Sequence, residues 1–279
     1  MRRHAAAAVL AVVLGATGCA AGASDAGAGF DEAAFEDRWT AAEQGGLDYQ
    51  LGGASDVGDD VTVVVRDREA PPAGVVLDVC YVNAFQTQPG ELEWWSREHP
   101  ELLLRDAAGD PVADPAWPDE RILDSSTPSS RAAIAEIVGE WIDGCARAGF
   151  EAVELDNLDA WTRVDGLSQA GTLALASMLV DRAHAAGLAA AQKNALEAGQ
   201  AGAAAGFDLV ITEECARFDE CGAYGALHDR HLAVEYAGAL PDGATFAAVC
   251  DRPGQPPLMV LRDAGLAPRG DPAHILERC

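Results

Sequence analysis

Three short strings in the chain share one grammar: "AGFEAVELDN" from Ala148, "AGLAAAQKN" from Ala186 and "AGFDLVITEE" from Ala205. Each reads Ala-Gly, an apolar residue, a strand-like run and then a polar cluster. Glycine at the end of a helix takes the left-handed conformation without a Cβ penalty and lets the chain turn into the next strand. Ahead of Gly149, Thr127-Pro128-Ser129-Ser130 is a helix start signal. Ile134, Ile137, Val138, Trp141, Ile142 and Cys145 follow at spacings of three and four, an apolar stripe on one helix face. "LALASMLVDRAHAA", ahead of Gly187, also reads as helix. Helix, glycine, strand, polar end and helix again is the alternation of a parallel sheet.

Five further strings fit as strands: "DYQLGG" from Asp48, "VTVVVRD" from Val61, "GVVLDVCYVNAF" from Gly74, "HLAVEY" from His231 and "LMVLRD" from Leu258. The eight together predict an α/β fold, a single (β/α)8 TIM-type barrel over residues 30–279. A doubly wound sheet would carry GxGxxG after its first strand, and that turn is missing.

Residues 1–18 have the plan of a secretory signal peptide: Met1-Arg2-Arg3-His4, an apolar run from Ala5 to Leu14, then small residues. The run is too short to span a bilayer as a stable helix. "ATGC", ending at Cys19, resembles a bacterial lipobox, which implies lipidation of Cys19 and a membrane-anchored, extracytoplasmic protein; plain secretion is the alternative. Residues 19–29 hold almost no bulky apolar side chains and read as a flexible tether. The remaining cysteines (Cys80, Cys145, Cys215, Cys221, Cys250, Cys279) are even in number in an exported chain, which favours disulfides over metal ligands.

Alternation along a strand sorts side chains into two faces. If large apolar residues face the helices, Val153 and Leu155 point outward and Glu154 and Asp156 inward. The same rule aims Glu214, on the face opposite Leu209 and Ile211, and Glu235, opposite Leu232 and Val234, at the mouth where barrel enzymes keep their chemistry. Capping and turn formation account for any one polar strand end. They do not account for several that converge on one space.

Converging carboxylates without a Ser-His pair or metal-ligand spacing suit cleavage of a glycosidic bond, in which one acid donates a proton and another attacks or activates water. The chemistry calls for no cofactor and no metal, and Asp156, Asn157 and Asp159 do not form a calcium loop. Tyr81, Trp117, Trp161 and Tyr236 lie near strand ends, where aromatic rings suit sugar faces. Lys193, the single lysine, raises a Schiff-base lyase as an alternative, with Asp156 and Glu214 as proton shuttles. Neighbouring carboxylates keep such a lysine protonated and weaken that reading. A carbohydrate-binding lipoprotein without turnover is the other alternative. With 45 acidic and 19 basic residues and a net charge of -26, the surface repels nucleic acid and attracts cationic polymers, with solubility or salt adaptation as the plain alternative.

The strings "CYVNAF" (80–85), "WPDERILD" (117–124), "GFEAVELDNLDAW" (149–161), "AQKN" (191–194), "EECARFDECGAY" (213–224) and "VEY" (234–236) resemble glycoside hydrolase family 114, whose named activity is endo-α-1,4-polygalactosaminidase. The resemblance implies a barrel with a retaining mechanism on an Asp and a Glu, and an amino-sugar polysaccharide or oligosaccharide as substrate. Asp156 of "LDN" becomes the nucleophile. The acid/base is a glutamate of "EEC", and inward alternation selects Glu214 over Glu213. Asp48, Tyr81, Asn83, Trp117, Glu120, Asn157, Asp159, Lys193, Asn194, Glu213, Glu235 and Tyr236 become substrate-binding candidates. Leu155 stands where the family usually has Pro. The resemblance and the spacing together pair Cys215 with Cys221, Cys80 with Cys145 and Cys250 with Cys279.

Overall fold

The computed structural model describes residues 29–279; the signal peptide, Cys19 and all of the tether but Gly29 lie outside the described residues. Helix α3 (Pro128–Ala148) begins where the sequence places it. The Thr127 hydroxyl accepts from the Ser130 amide, and Pro128 fills the first helical position. Its stripe buries Ile134, Val138, Ile142 and Cys145, and it stops at Gly149, whose φ of 97° is left-handed. Gly187 and Gly206 also have positive φ, 84° and 103°, so all three Ala-Gly units turn in the same way.

The chain order is α1 (Glu32–Ala42), β1 (Gly46–Gln50), β2 (Val61–Asp67), β3 (Leu77–Asn83), α2 (Leu92–Glu98), α3, β4 (Ala152–Asp156), α4 (Gln169–Ala185), β5 (Ala189–Lys193), α5 (Gly199–Ala203), β6 (Leu209–Glu213), α6 (Cys221–Gly225), β7 (His231–Tyr236), α7 (Phe246–Cys250), β8 (Leu258–Arg262) and β9 (Leu276–Arg278). Strands β1 to β8 are parallel neighbours in sequence order, and the short β9, which the sequence does not announce, adds antiparallel to β8. The sheet curls into a barrel. At the seam, β8 lies against β1, and Arg262 donates to Asp48 Oδ1 at 3.1 Å and to the Tyr49 carbonyl.

The helical wall is uneven. The β1–β2 and β2–β3 connections carry no helix, and α5, α6 and α7 have five residues each. Long helices α3 and α4 cover β3 to β5, with Val82, Val153 and Leu155 packed beneath them.

The barrel interior is itself a packed core of Leu47, Tyr49, Val63, Val65, Leu77, Val79, Leu209, Ile211, Leu232, Val234, Leu258 and Val260, beside the small Ala152, Ala189 and Ala191. This corrects the expectation for β6 and β7. Because β4 and β5 contribute alanines, the larger residues of β6 and β7 must turn inward to fill the volume, as bulky branched side chains do in such barrels. Val210 and Ala233 face outward, under α6 and α7. The inward residue at the end of β6 is therefore Glu213, and at the end of β7 it is Tyr236.

The cysteines join as Cys80–Cys145, Cys215–Cys221 and Cys250–Cys279. They tie β3 to α3, staple the loop after β6, and fasten the C-terminus to α7. Among the described residues no helix is long and apolar enough to cross a membrane.

Candidate active site

Each of β4, β5 and β6 ends in an ionisable residue: Asp156, Lys193 and Glu213. The next residues, Asn157, Asn194 and Glu214, all have positive φ (68°, 46° and 59°), so the chain leaves the barrel sharply at each point. Asparagine tolerates that conformation; glutamate adopts it with some strain. The result is a pocket of about 220 Å³ lined by Tyr81, Trp117, Glu120, Asp156, Asn157, Asp159, Arg163, Lys193, Asn194, Glu213 and Tyr236, with Leu51, Ala264 and Leu266 completing the wall.

Lys193 is its centre. Nζ lies 3.0 Å from Glu154 Oε1, 3.4 Å from Asp156 Oδ1 and 3.3 Å from Glu213 Oε2, and donates to Tyr49 Oη at 3.0 Å. Burial alone would lower the affinity of this amine for its proton. Asp156, Glu154 and Glu213 outweigh burial and hold it well above the ordinary lysine range. It is therefore an ammonium at neutral pH and not the free amine that a Schiff base needs.

Asp156 and Glu213 each have a tyrosine partner as well. Tyr81 Oη donates to Asp156 Oδ2 at 2.6 Å, and Tyr236 Oη donates to Glu213 Oε1. Below them Tyr49 Oη donates to Glu154 Oε1 at 2.9 Å. Glu154 is fully buried, and burial raises its proton affinity despite Lys193. Asn194 Oδ1 accepts from the Glu213 amide at 2.8 Å and so sets the end of β6.

A second network ties the long β3–α3 excursion to the barrel. Asn83 Nδ2 donates to Glu120 Oε2 at 2.9 Å, Asn157 Nδ2 to Asn83 Oδ1 at 3.0 Å, and Arg163 Nη2 to Asn157 Oδ1 at 3.0 Å. Arg163 also pairs with Asp114 at 2.8 Å and with Asp159 at 2.5 Å, and the Asp114 amide donates to the Glu120 carbonyl at 3.2 Å, which closes the ring. Burial lifts Glu120 to about 7 even though the Asn83 hydrogen bond favours its charged form. Burial likewise lifts Asp159 against the pull of Arg163. Trp117, 60% exposed, stands at the mouth on the same excursion.

Three expectations of the sequence need correction. Glu214 points away from the pocket and pairs with Arg217 at 2.5 Å. Glu235 is fully buried behind the barrel wall, where Oε1 accepts from the Ala216 amide at 2.8 Å. Both follow from the inward turn of the large residues of β6 and β7. Asp48 is 1% exposed and holds the seam through Arg262, because its neighbours Leu47 and Tyr49 take the inward positions of β1. Trp161 packs against the core between barrel and helices. Sequence reasoning missed Tyr49, Asp114 and Arg163. Arg163 was readable as the i+4 partner of Asp159; alternation puts Tyr49 on the face of Leu47 without saying that this face looks inward, and nothing local marks Asp114.

Comparison with known proteins agrees with this fold. The fold resembles Ega3 of Aspergillus fumigatus, solved in complex with galactosamine, with a TM-score of 0.66 and 20% identity, over 85% of this chain and 96% of that one. It also resembles the glycoside hydrolase domain of PelA from Pseudomonas aeruginosa, with a TM-score of 0.57 and 17% identity, over 82% and 97%. No curated protein matches the chain. The model of glycoside-hydrolase family GH114 matches residues 31–279. With its acids gathered at the carboxyl ends of barrel strands and its length covered by that match, the chain belongs to glycoside-hydrolase family GH114 and is a glycosidase.

Proposed function

We propose that this glycosidase cleaves α-1,4-linked galactosamine-type polysaccharide internally and with retention of configuration, using Asp156 as nucleophile and Glu213 as acid/base. One observation carries the reading: Asp156 and Glu213 share one ammonium in one pocket, at 3.4 and 3.3 Å from Nζ. A retaining pair needs its two carboxyl groups about 5–5.5 Å apart, and one shared ammonium holds these two close together on the same side of the pocket.

In this reading Glu213 protonates the leaving oxygen while Asp156 attacks the anomeric carbon and forms a glycosyl ester. Glu213, now ionised, takes a proton from water, and the hydroxide releases the sugar from Asp156. The Tyr236 hydroxyl can donate to the ionised form of Glu213 and accept from its protonated form. Lys193 and Tyr81 hold Asp156 ready and steady its charge as it leaves. The bound galactosamine of Ega3 and the net charge of -26 support a cationic amino-sugar substrate. Three disulfides support an oxidising compartment, in line with export and with an anchor at Cys19.

The test is a pair of glutamines. Glu213→Gln lowers kcat by about 10²–10⁴, the usual worth of a general acid/base, and Glu214→Gln leaves it within about threefold. Proton NMR of the first-formed product reports the anomer. Equal loss in both variants, or an inverted first product, overturns the assignment.

A further inference from the structure

The loop after β6 has features that the mechanism above does not use. It starts one residue after Glu213, and the Cys215–Cys221 disulfide staples its two ends. From below, buried Glu235 accepts the Ala216 amide at 2.8 Å. Within it the Glu220 amide donates to the Cys215 carbonyl at 2.8 Å and the Phe218 amide to the Glu214 carbonyl at 3.1 Å. A loop of this size with one such restraint would be ordinary; four together fix what its tip presents.

The tip presents Phe218, 58% exposed, with the Arg217 guanidinium 5.1 Å from its ring centroid. Arg217 is in turn held by Glu214. Beside it runs a groove of about 330 Å³ lined by Arg217, Gly238, Ala239, Leu240 and Pro241. Glu213 and Tyr236 line the catalytic pocket, and this groove begins within four residues of each. It therefore lies over the carboxyl ends of β6 and β7, on the same face of the barrel as the pocket.

We propose that Phe218, Arg217 and the 238–241 groove form an outer sugar subsite that holds a hexosamine unit of the polymer beyond the two units whose bond is cleaved. A galacto-configured ring, with its axial O4, keeps H3, H4 and H5 on one face, an apolar surface that suits an exposed aromatic ring. The Glu214–Arg217 pair supplies a carboxylate for an ammonium and a guanidinium for a hydroxyl or an acetamido carbonyl. The fixed loop means that little order is lost when the sugar docks, so the contact adds affinity despite its exposed position. The inference rests on the polymer-cleaving reading above.

Purified α-1,4-galactosamine oligomers of increasing length test it. In the wild type kcat/KM rises in steps as each subsite fills. Phe218→Ala erases one step, about tenfold in KM, for oligomers long enough to reach the groove and leaves shorter ones unchanged; Phe218→Tyr keeps it. A Phe218→Ala enzyme with wild-type rates at every length overturns the subsite alone. A wild type inactive on the whole series overturns the substrate reading and the subsite with it.

Discussion

Lys193 Nζ lies 3.0 Å from Glu154 Oε1, beneath the pair of carboxylates that face the pocket. One ammonium thus serves three acids. Lys193→Met leaves all three without a cationic partner, and removing one member of a buried pair typically costs about 3–5 kcal/mol. Urea unfolding near pH 8 should show that loss. At pH 5 the loss is smaller, because Glu154 then takes up a proton, and adding Glu154→Gln recovers part of it at pH 8.

Burial raises Glu120 and Glu235 from 4.5 to about 7. The folded state then keeps protons that the unfolded chain has already lost. Their contribution to stability is complete below pH 4.5 and is lost as pH rises through about 7. Unfolding free energy should fall between pH 5 and pH 8. Glu235→Gln, which can still accept the Ala216 amide, should flatten that slope.

Asp48 and Arg262 close the barrel, and both are 1% exposed. Asp48→Ala leaves the buried Arg262 guanidinium with backbone carbonyls and the more distant Asp263 carboxylate at 3.8 Å, and destabilises by about 3 kcal/mol; Asp48→Asn costs less. KM stays at the wild-type value in the folded fraction of either variant. A raised KM with unchanged stability would return Asp48 to the substrate site.

Asp219 has a φ of 60° at the exposed tip of the stapled loop. Glycine meets no Cβ penalty there, so Asp219→Gly should raise stability by about 0.5–1 kcal/mol in thermal unfolding.

Much of the barrel is legible in local pattern. The Ala-Gly units, the Thr127 cap and the stripe of α3 depend on contacts a few residues apart, which the order of residues specifies directly. For the same reason the eight parallel strands can be read from sequence, although β1 ends at Gln50, before the glycines expected in it. The three-residue β9 has no such signal. It exists because β8 offers a free edge at the seam.

Which strand ends carry polar groups, that Lys193 is the chain's single amine side chain, and how the charge is balanced all follow from the sequence alone. Alternation divides β6 into two faces but does not say which one looks inward. That choice depends on the volume left by Ala152, Ala189 and Ala191 on other strands, and filling it turns Leu209, Ile211 and Glu213 toward the axis. The tertiary structure therefore decided that Glu213 meets Asp156 across Lys193, that Glu235 props a loop, and that Asp48 locks a seam. Each depends on packing between segments far apart in the chain, where a one-residue change of face moves a carboxylate from the pocket to the wall.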